Sequence, residues 1–311
     1  MTMRDTAAPS PEQEGNEETG RGASAALTAF LIWGFLPIYW KLLESVNPFE
    51  VVSHRGIWSL ASIIPLVLLT RRMPEVRAAL RGKSLLLLCL STALLAANWL
   101  IFIWAVGNGR ILETSIGNFL NPLFNMMCGV VFFRDRITRL QWFSVLLVTI
   151  AIGLRIVTLG YFPWVALSLC CTFSFYGMIR KIVSVESIPG LMVENTLFAP
   201  FALGTLLWLG SQGTLSFGSD ATTTAMLLGA GAFTSIPIAL FAYAARHLHL
   251  TTLGIFHYIV PSCSFLIGVF MYHEPLSAMS LATFALIWLA LIVYTIEKLR
   301  IRRRPSLIRN A

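Results

Sequence analysis

The sequence predicts an all-α integral membrane protein of ten transmembrane helices arranged as two inverted five-helix repeats. Three observations predict it. The 311 residues are 56% hydrophobic and 12% charged, with a mean hydropathy of +0.74. A soluble domain is roughly a quarter charged, so this chain has too few charges to cover a wet surface. Apolar segments of bilayer-spanning length, about 20 residues, recur along the chain with short connections. Finally, the second half of the chain resembles the first.

The apolar segments fall at 23–43, 48–70, 84–106, 111–133, 140–158, 161–180, 189–210, 222–246, 250–272 and 276–296. The thinnest divider is between the fifth and sixth, where Arg155, Gly160 and Pro163 stand. Residues 1–22 carry Pro, Glu, Asn and Gly without apolar periodicity and read as a disordered tail. No basic start with a short apolar run and cleavage site is present, so no signal peptide is expected. Residues 23–158 form the first repeat, 161–296 the second, and 297–311 a basic tail.

Net charge +8 raises the question of nucleic acid, but its distribution answers otherwise. With ten helices, one side of the membrane and the tails hold 19 of the 23 Lys and Arg. The other side holds Lys41, Arg110 and Arg155, and Arg55 lies within a helix. That bias places both termini in the cytoplasm. The run "KLRIRRRPSLIR" then meets anionic headgroups, and no nucleic acid partner is expected.

The repeat is visible when the chain is slid along itself until Trp104 meets Tyr243. Without a gap, Ile116 then meets Ile255, Pro122 meets Pro261 and Gly129 meets Gly268. A slightly longer shift sets Pro48 on Pro189 and Val52 on Val193. A repeat with an odd number of helices inverts its second copy, and inverted repeats mark secondary transporters with a mid-membrane site between the halves. Pro122 and Pro261 each fall about eleven residues into an expected helix, near mid-bilayer. A helical proline frees the carbonyl four residues back, here those of Asn118 and His257. Both prolines are therefore expected to break helices where a cavity is lined.

"SHRG" places His54 and Arg55 roughly 10 Å inside the second helix. Intramembrane ionisable groups usually face a bundle interior or a water-filled cavity. The bland alternative is an arginine snorkelling outward or toward Glu50. The functional reading is a cavity arginine that grips an anionic group bidentately, with His54 able to titrate near neutrality. The inverted half offers Glu194 and Asn195 at the equivalent depth. Asn98, Asn118, Asn121, His257 and Tyr258 complete the candidate cavity lining, although an amide in a bundle often only bonds its neighbour. Trp33, Tyr39, Trp40, Trp58, Trp99, Trp104, Tyr176 and Tyr258 are candidate stacking surfaces, with Tyr39 and Trp40 better placed as interfacial anchors. The five cysteines, Cys89, Cys128, Cys170, Cys171 and Cys263, lack metal-ligand spacing and read as packing residues. No metal or cofactor is expected.

The stretches "IWGFLPIYWK", "SHRGIWS", "NWLIFIWAV", "LETSIGNFLNPL", "FYGMIRK", "TTLGIFHYIVP" and "FALIWLAL" resemble the drug/metabolite transporter superfamily, specifically EamA-type members of the RarD subfamily. The resemblance spans residues 25–298. It implies the EamA fold of two inverted repeats, cytoplasmic termini, a central cavity in the cell membrane of a prokaryote, and export of small metabolites or drugs by alternating access. The family commonly carries Gln and Gly where this chain has His257 and Val260. The partners so implied are a small-molecule substrate, the lipid bilayer and a coupling ion such as a proton. The alternatives are an intramembrane enzyme or a channel. No nucleophile–base pair or metal cluster and no selectivity ring is evident for either.

Overall fold

The structure, a computed structural model, describes residues 11–134, 138–159, 162–183, 185–248 and 256–303. The helices are α1 (Pro11–Lys41), α2 (Pro48–Leu69), α3 (Met73–Ala79), α4 (Gly82–Gly107), α5 (Ile111–Phe133), α6 (Arg139–Leu159), α7 (Trp164–Ile182), α8 (Ser187–Ser211), α9 (Ala221–His247), α10 (Ile259–Leu266) and α11 (Ala278–Arg303). A π-helical turn, Ile267–Met271, continues α10. No strand occurs among the described residues.

Local chemistry sets the helix ends. Asn47 caps α2, its side chain accepting from Phe49 N at 3.0 Å, and Pro48 takes the first position, where its missing N–H costs nothing. Asp220 caps α9 by accepting from Thr223 N at 2.8 Å, and these hydrogen bonds hold its exposed carboxyl below the usual range. The α4–α5 turn needs Gly109 at φ 65°, a region open to glycine. The first N–H groups of α5 are closed from a distance: Ile111 N and Leu112 N donate to the Glu274 carboxylate at 2.6 and 2.8 Å. Of the divider expected at Arg155, Gly160 and Pro163, Arg155 falls inside α6, Gly160 lies outside the described residues, and Pro163 directly precedes α7.

Of the expected segment 250–272, residues 250–255 lie outside the described residues and α10 starts at Ile259; the boundaries at the two ends of the chain differ as well. α1 begins at Pro11, so residues 11–22 are helical where a disordered tail is expected; residues 1–10 lie outside the described residues. At the other end α11 runs to Arg303, into the expected basic tail.

Among the described residues six helices are long and apolar enough to cross a membrane, and three shorter apolar helices cover 139–154, 164–180 and 259–271. Large apolar side chains face outward on many of them, including Leu86 and Leu90 on α4, Leu146 and Ile150 on α6, and Phe201, Leu207 and Trp208 on α8. An outer face this apolar is a lipid face, so the protein is an all-α membrane protein. Between the helices, small residues permit close approach. A Cβ on Gly117 would press on the Ala166 backbone of α7, and one on Gly231 would run into the Trp58 backbone of α2.

The packing scheme positions the site. α1 packs on α9 and α10, α2 on α8 and α9, α4 on α7 and α8, and α5 on α7 and α10. α6 packs on α11. Exchanging α1, α2, α4, α5 and α6 with α7, α8, α9, α10 and α11, in that order, leaves this scheme unchanged. The α6–α11 pair stands aside, and α1, α2, α4, α5 and α7 to α10 enclose a cavity.

Candidate functional site

A cavity of about 380 Å³ lies between the two sets of helices. Trp33, Leu36 and Trp40 of α1, Arg55 of α2, and Leu95, Asn98, Trp99 and Phe102 of α4 form one side, with Asn118 and Asn121 of α5. Phe173, Tyr176 and Arg180 of α7, Leu191 of α8 and Thr234, Ile238 and Phe241 of α9 form the other, with His257 and Val260.

The two sides correspond position by position. Setting Trp33 on Phe173 brings Leu36 to Tyr176 and Trp40 to Arg180. The register that sets Pro122 on Pro261 pairs Leu95 with Thr234, Trp99 with Ile238, Phe102 with Phe241, Asn118 with His257 and Asn121 with Val260. Only Arg55, Asn98 and Leu191 line the cavity without their counterparts.

Arg55 is 8% exposed and among the described residues makes one hydrogen bond, from Nε to Thr234 Oγ1 at 3.0 Å. Its guanidinium lies 4.2 Å from the Trp99 ring centroid and 5.2 Å from that of Trp40. Trp40 is thus a buried platform rather than the interfacial anchor expected of it. Among the described residues no carboxylate pairs with Arg55. Glu50, the snorkelling partner considered above, is fully buried elsewhere: its carboxylate accepts from Ser216 N at 3.0 Å and Phe217 N at 2.8 Å. Desolvated cation–π contacts contribute up to about 2 kcal/mol, which makes a buried guanidinium tolerable while leaving its fork open.

His54 does not join Arg55. Its ring stacks on Phe217 at 4.6 Å, and Nδ1 accepts from Trp58 Nε1 at 3.1 Å. Successive helical residues are about 100° apart, and here that turn carries His54 away from the cavity that Arg55 enters. Asn98 lines the cavity while its Nδ2 donates to Leu169 O at 3.0 Å and Thr172 Oγ1 at 2.9 Å. Asn121 Nδ2 donates weakly to Asn118 Oδ1 at 3.4 Å, leaving Asn121 Oδ1 buried without a partner. Glu194 and Asn195 lie behind the wall in a crevice of about 10 Å³. Glu194 accepts from Ser91 Oγ at 2.6 Å and Tyr176 OH at 3.3 Å, and Asn195 donates to Ser59 Oγ at 3.2 Å. Tyr258 also stands apart, its hydroxyl 3.5 Å from Thr295 Oγ1.

The proline pair is not symmetric. α5 runs through Pro122 without a break, and its missing N–H leaves the Asn118 carbonyl without a helical donor. The chain turns at His257 and Tyr258, and α10 starts at Ile259. Pro261 therefore sits in a first turn, where its N–H would be unpaired in any case. Phe256, just before that turn, is itself helical, and the Pro261 carbonyl accepts from Ser115 Oγ at 2.8 Å. Neither proline lines the cavity.

The residue that the sequence reading misses is Arg180. The charge bias assigns it to a cytoplasmic loop, yet it sits in the last full turn of α7 on the cavity wall. Its Nη1 is 3.9 Å from Glu194 Oε1, and Nη2 donates to Glu186 O at 3.0 Å. The repeat register that pairs it with Trp40 is the available signal. No group of three or more His, Cys, Asp and Glu able to hold a metal occurs among the described residues.

Comparison with known proteins fits this geometry. Residues 20–157 match the EamA-like transporter family. The chain is 38% identical to "Protein RarD" of Salmonella typhi over 290 residues, 93% of this chain and 99% of that protein. It is 37% identical to an "Uncharacterized transporter" of Vibrio cholerae over 292 residues, 93% of this chain and 96% of that one. A solved crystal structure 14% identical to it superposes with TM-score 0.59 over 89% of this chain and 98% of that chain, a likeness of fold alone. Similarity of this extent to named relatives places the protein in the EamA-like transporter family, as a RarD-type member of the drug/metabolite transporter superfamily.

Proposed function

We propose that this membrane transporter is a secondary exporter of small metabolites or drug-like amphipathic or zwitterionic compounds, working by alternating access through the cavity between its halves. The observation that carries the reading is the cavity lining itself. Apart from Arg55, Asn98 and Leu191, every lining residue has its repeat counterpart on the opposite wall. Two halves that present equivalent positions to one ligand site are what an inverted repeat supplies. The exchange-invariant helix packing supports the same reading, and so does the 19-to-3 split of basic residues. On this reading there are ten spans, both termini are cytoplasmic, and residues 23–158 superpose on 161–296 about an axis in the membrane plane. Arg55 meets an anionic group of the substrate. A proton gradient is the driving ion to try first.

Reconstitution into proteoliposomes with an untargeted metabolite screen, with and without a proton gradient, tests the function. Gradient-dependent flux of a small solute is expected; absence of any protein-dependent flux ends the proposal. A reporter fused after Ala311 is expected to behave as cytoplasmic, and its labelling from outside intact cells would overturn the orientation.

A further inference from the structure

We infer that the cavity takes a flat organic anion, and that Arg180 is a second anion-binding residue whose grip is set by competition with the protein's own Glu194. This rests on the transporter reading and adds to it a ligand class and a second cation.

The class follows from the wall. Rings from both halves, Trp33 and Trp99 on one side and Phe173 and Phe241 on the other, face the cavity. Such surfaces favour a flat apolar body in offset or edge contact. Among the described residues no Asp or Glu lines the cavity, whereas two guanidinium groups do. In a site of low dielectric, two cations without an exposed carboxylate favour an anion and oppose an ammonium. Two of the three indoles that line the cavity, Trp99 and Trp40, already carry Arg55.

Arg180's role follows from its contacts. Among the described residues its buried Nη1 has no hydrogen bond, and the Glu194 oxygen at 3.9 Å lies beyond hydrogen-bond range. Glu194 is itself satisfied by Ser91 and Tyr176, and its crevice is too small for a ligand. A carboxylate in the main cavity and Glu194 therefore face the same guanidinium from opposite sides. The ligand's carboxylate gains at Arg180 what Glu194 gives up. The seat of Arg180 is Gly190, where any Cβ would overlap the guanidinium. The cation is thus held at the wall by packing as well as by charge.

The test is calorimetric titration of the purified full-length protein in detergent with 2-naphthoate, 2-naphthamide and 2-naphthylmethylamine, subtracting heats to empty micelles. These probes share a ring and differ in charge. Naphthoate is expected to bind at least about tenfold tighter than the other two, the scale of one charge-assisted contact. Equal or tighter binding of the amine or amide, or no binding of naphthoate, overturns the anion class. Glu194→Gln is expected to tighten naphthoate binding several-fold, and Arg180→Gln to weaken it about tenfold, with Arg180→Lys intermediate. The charge-balanced double variant Arg180→Gln/Glu194→Gln is expected to bind as weakly as Arg180→Gln alone, which keeps the test open if the single variant misfolds. Unchanged or weaker binding by Glu194→Gln removes the competition, and unchanged binding without Arg180 removes the second cation. A merely structural role for Glu194 predicts no gain in affinity. Because binding is read without flux, loss of transport with these responses intact would fault the transporter reading and not this one.

Discussion

Arg55 and Arg180 reach one cavity from opposite halves, and their surroundings differ. Arg55 rests on two indole faces and one hydroxyl, with no carboxylate pairing with it among the described residues. Arg180 is held by the carbonyls of Val185 and Glu186 and lies beside Glu194. The two are not repeat equivalents: Arg180 occupies the position of Trp40, the ring on which Arg55 lies. A buried charge without a partner is costly, so the uncompensated one is the better anchor for an incoming anion. The compensated one is better placed to hold the resting structure together.

The most damaging way to test this contrast is Arg55→Gln. Truncating a buried cation that meets a ligand charge costs on the order of 3 kcal/mol, so transport should fall about a hundredfold. Protein abundance should hold, and Arg55→Lys should recover only part, because an ammonium lacks the planar fork. Transport by Arg55→Gln at the parental rate would return Arg55 to a packing role.

Arg180→Gln sharpens the other arm. It leaves Glu194 buried with only Ser91 and Tyr176, and breaking such a contact should cost about 2 kcal/mol of stability. Thermal unfolding in detergent measures it, and Arg180→Gln/Glu194→Gln should regain most of the loss. Equal destabilisation by the Arg55 and Arg180 variants would erase the distinction between anchor and brace.

Smaller effects probe the support of Arg55. Thr234→Val removes its one hydrogen-bond acceptor and should cost about 1 kcal/mol, read as a roughly fivefold weaker apparent affinity. Trp99→Phe keeps a ring under the guanidinium but weakens the cation–π contact, by about 0.5 kcal/mol or roughly twofold. If Trp99→Phe outweighs Thr234→Val in substrate titrations, the ring and not the hydroxyl holds the guanidinium.

The prolines give a second contrast with the same lesson. Pro122 and Pro261 align in the repeat, yet one is threaded through a continuous helix and the other opens one. Covalent chemistry says what a proline lacks. Only the start of the helix says whether that lack matters. His54 and Arg55 show the same limit at the scale of adjacent positions, since neighbours in sequence turn to different partners.

The sequence by itself determined the lipid environment, most of the segments that become helices and the self-similarity of the two halves. These depend on composition, apolar length and self-similarity, which are properties of the chain alone. Its motifs also placed Arg55, Asn98, Asn118, Asn121 and His257 in the candidate site, and all five line the cavity. Only the tertiary structure decided that Glu194, Asn195, His54 and Tyr258 stand outside it, that Trp40 supports a guanidinium, and that Arg180 belongs to the wall. Those outcomes depend on the rotation of each helix about its axis and on which neighbour it meets. In helices apolar on nearly every face, no amphipathic stripe records that rotation; the packing of one half against the other sets it.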